Sequence, residues 1–378
     1  MVATSSLTKA ILVQVIFPQS ADLAADRAEL ESLAMAAELQ LLFYCSCRRK
    51  LPDSKYFLGS GKVTELSAII AELKPDVVVF NHTLTPIQGR NLEKAFNCAV
   101  IDRTQLILQI FAKRAQSFAG KLQVELARLE HEASRLVRGW THLERQRGGG
   151  GFLGGPGEKQ IEMDRRVLKQ KIVMVKKRLV KLENQQEQNR HAREQKRIPT
   201  VALVGYTNAG KSTTFNLLNT TNVTVKNMLF TTLDLCARRI YLPDFLFKHA
   251  ILIDTVGFIR ELPHELIKAF HATLEEVKHA TLILHLLDAA DPHRNEKRQV
   301  VNEVLTELSA DTIPQLEVWN KIDTLENPVL PHVDYRESGE PWRVWISART
   351  GEGKAEILRA ITELLNGIVE KESNLSTI

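Results

Sequence analysis

At 378 residues, with 44% hydrophobic and 25% charged side chains, the chain has the composition of a soluble protein of two or three domains. It lacks an apolar run of the roughly 18 residues needed to span a bilayer, and its first residues lack the basic-then-apolar layout of a secretion signal, so the cytoplasm is the expected location. Net charge is only +5, yet residues 119–197 hold 19 Lys and Arg against 10 Asp and Glu, which points to a polyanionic partner for that segment alone. The cysteines, Cys45, Cys47, Cys98 and Cys236, are too few for a disulfide scaffold. They also lack the second pair a metal site would want, and read as buried or free thiols.

Residues 1–118 predict an N-terminal α/β domain. Ile11 to Phe17 reads as a strand, Asp22 to Glu38 as an amphipathic helix and Leu41 to Cys47 as a second strand. A loop from Leu51 to Lys62 leads to a helix ending near Lys74. A strand at Asp76 to Phe80, a helix at Pro86 to Phe96 and a strand at Ala99 to Ile101 follow. This order predicts a small parallel sheet flanked by helices. Gly59-Ser60-Gly61-Lys62 has the wrong spacing for a phosphate loop and reads as a structural turn, although Lys62 at a helix start can meet an anion.

Residues 119–197 predict a basic antiparallel helical hairpin. Leu122, Leu126, Leu129, Ala133, Leu136, Trp140 and Leu143 form one heptad seam; Leu168, Ile172, Val175, Leu179 and Leu182 form a second. Between them no helix survives the glycine-rich loop at 148–157, whose shoulders carry Arg135, Arg138, Arg145, Arg147, Arg165 and Arg166. Such a loop, tipped by Phe152 and Leu153, suits insertion into folded RNA read by shape; a solvated basic coiled coil with a hinge fits the composition equally well. The helix is expected to fray in the polar run Glu183 to Arg190, and Ile198-Pro199 opens the next domain.

Residues 198–366 predict a doubly wound P-loop domain, with 367–378 as a short tail. The apolar run Val201 to Val204 precedes Gly205-Tyr206-Thr207-Asn208-Ala209-Gly210-Lys211-Ser212-Thr213, and a helix follows. Strand, glycine-bounded loop and helix form a phosphate cradle: the glycines let successive N–H groups turn inward and the helix N-terminus adds positive charge. Lys211 can reach the outer phosphates and the Ser212 hydroxyl can ligate Mg²⁺. Phe230-Thr231-Thr232-Leu233-Asp234 supplies a hydroxyl, Thr232, to complete the Mg²⁺ shell and sense the γ-phosphate. After the strand Ala250 to Ile253, Asp254-Thr255-Val256-Gly257 places Asp254 near Mg²⁺ through water and the Gly257 N–H at the γ-phosphate. Another strand is expected over Thr281 to Leu287. In Asn320-Lys321-Ile322-Asp323 the Asp323 carboxylate can accept from the guanine N1–H and N2 amine, Asn320 braces the loops, and the Lys321 stem covers the ring. Ser347-Ala348-Arg349 offers backbone donors to guanine O6. Five such motifs in order, each after a strand, define a guanine-nucleotide site with Lys211, Thr232 and Gly257 as its reaction groups.

At this point the chain closely resembles the HflX family of translational GTPases, over nearly its whole length. The resemblance rests on Lys55 to Val63, Asp102-Arg103-Thr104-Gln105-Leu106-Ile107-Leu108, Lys121 to Leu126, Arg138-Gly139-Trp140-Thr141-His142-Leu143-Glu144-Arg145, Gly155-Pro156-Gly157-Glu158 and Asp254 to Ile259. It implies a GTP-hydrolysing factor that binds the large ribosomal subunit and its rRNA through the hairpin and glycine-rich loop. It also implies splitting or rescue of stalled ribosomes under stress; a monomer is expected. Two departures stand out. Gly154 and Lys159 occupy positions where the family usually has Arg and Thr or Ser, and the chain ends at Ile378 where many relatives continue into a further domain. Phe258 follows Gly257 where many GTPases have a water-orienting Gln, so slow intrinsic hydrolysis is expected, stimulated by ribosomes. A GTP-gated RNA-binding chaperone with no ribosomal role, or a membrane- or protein-associated switch whose hairpin binds another coiled coil, remains the alternative.

Overall fold

The computed structural model describes residues 7–18, 22–138, 156–195, 198–219, 230, 236–260 and 276–375. Two compact units divide the chain. Met1–Lys113 with Lys121–Leu179 forms the first, and Arg114–Gly120 with Val180–Ile378 forms the second.

In the first unit, β1 (Thr8–Ile16), β2 (Leu39–Arg48), β3 (Val77–Phe80) and β4 (Ala99–Ile101) form a four-stranded sheet in the order β2-β1-β3-β4. All its pairings are parallel. The unbroken apolar runs explain which strands are central. All four residues of β3 and Ala10 to Val15 of β1, Gln14 included, are buried, as a sheet covered on both faces requires. The connecting helices are α1 (Leu23–Ala36), α2 (Ser60–Leu73), α3 (Pro86–Phe96) and α4 (Arg103–Arg114). Their ends carry local signals. The Asp22 carboxylate caps α1 by accepting from the Ala24 and Ala25 amides, and Thr85 with Gln88 forms a capping box before α3. Gly59 is the N-cap of α2, and Lys62 sits 2.7 Å from Glu65 on the next turn.

Helices α5 (Phe118–Arg138) and α6 (Pro156–Gln195) form the basic pair. Leu122, Leu126 and Leu129 of the first and Val175 and Leu179 of the second are buried, and Lys176 lies 2.7 Å from Glu130 across the pair. Trp140, Leu143 and loop residues 148–155 lie outside the described residues. Pro156 and Gly157, expected in that loop, instead begin α6, where a missing N–H costs nothing. The polar run Glu183 to Arg190 does not end the helix either. It contains no Gly or Pro, and its Glu, Gln and Arg backbone stays helical through to Gln195.

A buried charge cluster joins α1, α4 and α5 to the carboxyl ends of β3 and β4. Asp102 is fully buried, accepts from the Gln105 amide at 2.8 Å and receives Arg135 of α5 at 3.2 Å. Arg103 donates to Asn81 Oδ1 at 2.7 Å and pairs with Glu29 of α1.

In the second unit a seven-stranded sheet runs β10-β11-β9-β8-β5-β7-β6. Its strands are β5 (Thr200–Gly205), β6 (Cys236–Tyr241), β7 (His249–Asp254), β8 (Leu282–Asp288), β9 (Gln315–Asn320), β10 (His332–Tyr335) and β11 (Pro341–Trp345). Only the edge strands β6 and β10 pair antiparallel. The helices described here are α7 (Lys211–Leu218), α8 (Arg294–Glu307) and α9 (Lys354–Leu375). Leu203, Leu252, Leu284, Val318 and Val344 from five neighbouring strands meet Phe215 of α7 and Ile357 and Ile361 of α9 in one core. The segment from residue 367 set apart above as a tail continues α9 to Leu375. Strand order reverses beside β5, between β8 and β7, so the loop after β5 opens at the crevice where doubly wound sheets bind ligands.

Removing Glu29 takes its paired carboxylate from the Arg103 guanidinium, in a residue only 4% exposed. Glu29→Ala is expected to lower the unfolding free energy by about 3–5 kcal/mol in urea titrations of the full chain; a loss below about 1 kcal/mol would show the pair to be dispensable.

Candidate functional site

The loop after β5 is shaped by two glycines that tolerate no side chain. A Cβ on Gly205 would stand 2.6 Å from the Leu286 carbonyl oxygen of β8, and one on Gly210 would stand 2.1 Å from Asn320 Nδ2. Gly210 and Asn208 also adopt positive φ, +96° and +64°. The loop therefore curls tightly and feeds Lys211 into the first turn of α7.

Lys211 is buried, and its ammonium donates to the carbonyls of Gly205 at 2.9 Å and Tyr206 at 3.0 Å. Burial pulls its pKa down to about 8, against the opposing pull of Asp254. Ser212 Oγ donates to Asp254 Oδ2 at 2.9 Å, which brings the hydroxyl of the first loop against the carboxylate at the end of β7. Thr213 follows Ser212 on α7, half-buried. Thr255 turns back into the sheet, donating to the Leu203 carbonyl at 2.6 Å, and Val256 is buried. Gly257 lies beside Thr207 and Lys211: a Cβ there would stand 2.8 Å from Thr207 Cγ2 and 3.2 Å from Lys211 Nζ.

The loops after β9 and β11 are tied to the same place. Asn320 is 2% exposed; its amide nitrogen donates to the Ala209 carbonyl at 2.9 Å while its amide oxygen accepts from the Ala348 amide at 2.9 Å. Lys321 takes a left-handed φ of +68° and pairs with Asp288 at 2.6 Å. Ile322 is buried under the turn, and Ser347 Oγ donates to Asp323 Oδ1 at 2.6 Å. Arg349 is exposed at the rim. Phe230 is buried with φ +55°, whereas Thr231, Thr232, Leu233 and Asp234 lie outside the described residues.

Behind this geometry stand clear kinships. Residues 24–112 match the family model described as GTP-binding GTPase N-terminal, 114–193 the GTP-binding GTPase middle region, and 200–321 the 50S ribosome-binding GTPase. GTPase HflX of Escherichia coli (strain K12) is 50% identical over 365 residues, covering 97% of this chain and 84% of that protein. The chain belongs to the HflX family of GTPases. GTPase HflX of Magnetococcus marinus is 48% identical, over 93% of this chain and 80% of the relative. A crystal structure of SsGBP with GDP shares the fold, with a TM-score of 0.52 and 22% identity over 95% of this chain and 99% of that one. The protein is thus a GTPase that uses GTP and yields GDP, and it carries a ribosome-binding GTPase domain. Among the described residues no helix is long and apolar enough to cross a membrane.

Four contributions escaped the motif reading, two of them hydroxyl roles of residues it had named. Asp288 ends β8 and holds Lys321, the Ser347 hydroxyl orients Asp323, and the Tyr206 hydroxyl accepts from the Arg260 amide at 2.9 Å. A carboxylate at a strand's carboxyl end was the available signal for Asp288; nothing local marks the other two. The fourth is His285, 1% exposed on β8 between Val204 and Glu317, with Nε2 lacking a partner among the described residues.

Burial drives the His285 pKa down to about 4; Glu317 opposes this, and Arg298 and Lys211 reinforce it. The folded protein thus keeps His285 neutral while the unfolded chain takes up a proton near pH 6.5. Stability is full above that pH and falls as pH drops from about 6.5 towards 4, by on the order of 3 kcal/mol from this group. His285→Leu is expected to flatten that part of the acid limb in urea unfolding at pH 7, 6 and 5. Parallel curves for variant and parent would refute the assignment.

Proposed function

We propose that the second unit binds Mg²⁺ and GTP at the carboxyl ends of β5, β7, β9 and β11, and that the bound triphosphate gates attachment of the basic helices to the large ribosomal subunit. There the protein splits or rescues stalled ribosomes under stress, as a monomer in the cytoplasm. The observation that carries the nucleotide reading is Asn320, whose single amide joins the phosphate loop to both base-reading loops. In this reading the amides of Asn208 and of Gly210 to Thr213 hold the phosphates, with Lys211 on the outer ones. Asp323, oriented by Ser347, accepts from the guanine N1–H and N2 amine. The Lys321 stem covers the ring, and the backbone of Ser347 to Arg349 faces O6.

The paired Ser212 hydroxyl and Asp254 carboxylate are hard oxygen donors of the kind Mg²⁺ takes. Among the described residues no cluster of three His, Cys, Asp or Glu side chains could cage a metal, which suits an ion completed by phosphates. Ser212 and Thr232 would hold it directly and Asp254 through water; the ion supplies charge neutralisation at the phosphates.

Hydrolysis joins water to the γ-phosphorus and breaks its bond to the β–γ bridging oxygen, releasing GDP and phosphate. Lys211 and the Gly257 N–H stabilise the charge that develops. Phe258, 2% exposed with its ring in the core, offers nothing to orient the water. Turnover is slow until a partner supplies the missing group. That partner is read from the cations Lys169, Lys171, Lys177, Arg178 and Lys181, which α6 leaves exposed, and from the ribosome-binding family model.

Purified large subunits are expected to raise the steady-state GTPase rate more than about tenfold, and deletion of residues 148–157 to abolish the gain. Equal rates with and without subunits would defeat the ribosomal reading. Asp323→Asn is expected to exchange guanine for xanthine preference in equilibrium nucleotide binding. Normal GDP affinity in that variant would sink the base assignment.

A further inference from the structure

The loop after β8 carries none of the nucleotide motifs, yet it is tied to both sides of the crevice. Asp288, the last residue of β8, lies opposite Asn320 in the register with β9. The Ala289 amide donates to the Asn320 carbonyl at 2.8 Å, which carries that pairing one residue further. Asp291 accepts from the His293 amide at 2.9 Å and pairs with Lys297. The Lys297 ammonium in turn stands 5.2 Å from the centroid of the Tyr206 ring in the phosphate loop. Arg294 donates to the Ala289 and Asp291 carbonyls, both at 3.4 Å, and its guanidinium lies 4.9 Å from the centroid of the Trp319 ring. The segment from Asp288 to Arg294 is thus held along its length by its own side chains.

Within it, the two oxygens of Asp288 have different tasks. Oδ1 accepts from the Ala290 amide at 3.1 Å, which fixes the carboxylate to its own turn. Oδ2 accepts from the Lys321 ammonium at 2.6 Å. The Asp288 and Lys321 side chains are 23% and 27% exposed, so salt and water screen the pair only in part. The Lys321 backbone is fixed as well. Its φ is +68°, and its carbonyl accepts from the Thr324 amide at 3.0 Å and the Thr324 hydroxyl at 2.8 Å, in the turn that carries Asp323. A flexible lysine stem loses most of its rotamer freedom when it is laid flat against a planar ring. With its backbone held at one end and its ammonium at the other, Lys321 has already given that freedom up.

We propose that Asp288 is a positioning residue for guanine-nucleotide binding: its carboxylate holds the Lys321 ammonium so that the stem is in place to cover the base. This rests on the reading of Lys321 given above as the residue that covers the ring. Asp288 acts through Lys321, by removing from the binding step the ordering cost that an untethered lysine would meet there. The base is common to GDP and GTP, so both are held more tightly by the same factor. The loop after β8 therefore adds affinity without favouring either phosphate state.

Asp288→Asn tests this, because the amide keeps an oxygen for the Ala290 N–H and removes the charge that holds Lys321. Dissociation constants of GDP and of a non-hydrolysable GTP analogue are measured by equilibrium titration of the full chain, Asp288→Asn, Lys321→Ala and the double variant. Asp288→Asn is expected to raise both constants about three- to tenfold, the cost of ordering one long side chain, and Lys321→Ala to raise both by at least as much. Added to Lys321→Ala, Asp288→Asn is expected to change neither constant by more than about twofold. An Asp288→Asn effect of the same size in both backgrounds overturns the proposal, because a carboxylate that only shapes its own turn acts whether or not Lys321 is present. A loss confined to the GTP analogue overturns it too, since the effect then lies at the phosphates. Full affinity in Asp288→Asn beside a weakened Lys321→Ala rejects the role of Asp288 alone. Full affinity in Lys321→Ala rejects the base-covering reading, and the proposal with it.

Discussion

Asn320 donates to the carbonyl of Ala209 and accepts from the amide of Ala348, and it can do so because Gly210 has no Cβ to stand in its way. A methyl group at Gly210 would overlap the Asn320 amide at 2.1 Å. This buried amide ties three loops from three strands together. Lys321 adopts its left-handed turn against Asp288, and Asp323 meets Ser347 only because Ser347 is already pinned beside Ala348. Both partners of the amide are backbone groups, so the tie is indifferent to side-chain changes in the loops it joins. It is sensitive to the glycine.

The same logic of paired buried polar groups recurs in the first unit, with charges in place of an amide. Asp102 receives Arg135 of the long helix α5, while its neighbour Arg103 reaches Asn81 and Glu29. A guanidinium or carboxylate taken out of water at the end of a four-stranded sheet is costly unless every partner is in place. The cluster therefore tolerates few alternative packings of α5 on that sheet. An apolar seam such as Leu122, Leu126 and Leu129 could slide by a heptad at modest cost; Arg135 on Asp102 sets one register.

Much of this was legible in the sequence because the signals are local. Unbroken runs such as Val77 to Phe80 mark covered parallel strands, Thr85-Pro86 with Gln88 marks a helix start, and each nucleotide motif follows a strand. The parallel architecture, the P-loop domain and the crevice at β5 follow from those. The misses have physical causes too. The polar run after Leu182 stays helical because solvated Glu, Gln and Arg have good intrinsic propensity, and the loss of an apolar seam does not end a helix. Edge strands β6 and β10 carry weak alternation because their side chains pack on one neighbour only. His285, the Tyr206 hydroxyl and the Ser347 hydroxyl matter through partners 32 or more positions away in sequence for His285 and through tertiary bonds for the other two, and no local pattern encodes such contacts.

Phe258 joins the two functions of the second unit. In the position where a polar side chain would orient water, this chain has a ring committed to the core, while the Phe258 backbone bonds to the phosphate loop at both its amide and its carbonyl. A side chain anchored in the core is a poor catalyst and a good lever, because its backbone can move only when the packing around the ring rearranges with it. The Lys211 ammonium beside it is desolvated between two carbonyls, and that burial pulls its pKa down to about 8 in spite of Asp254.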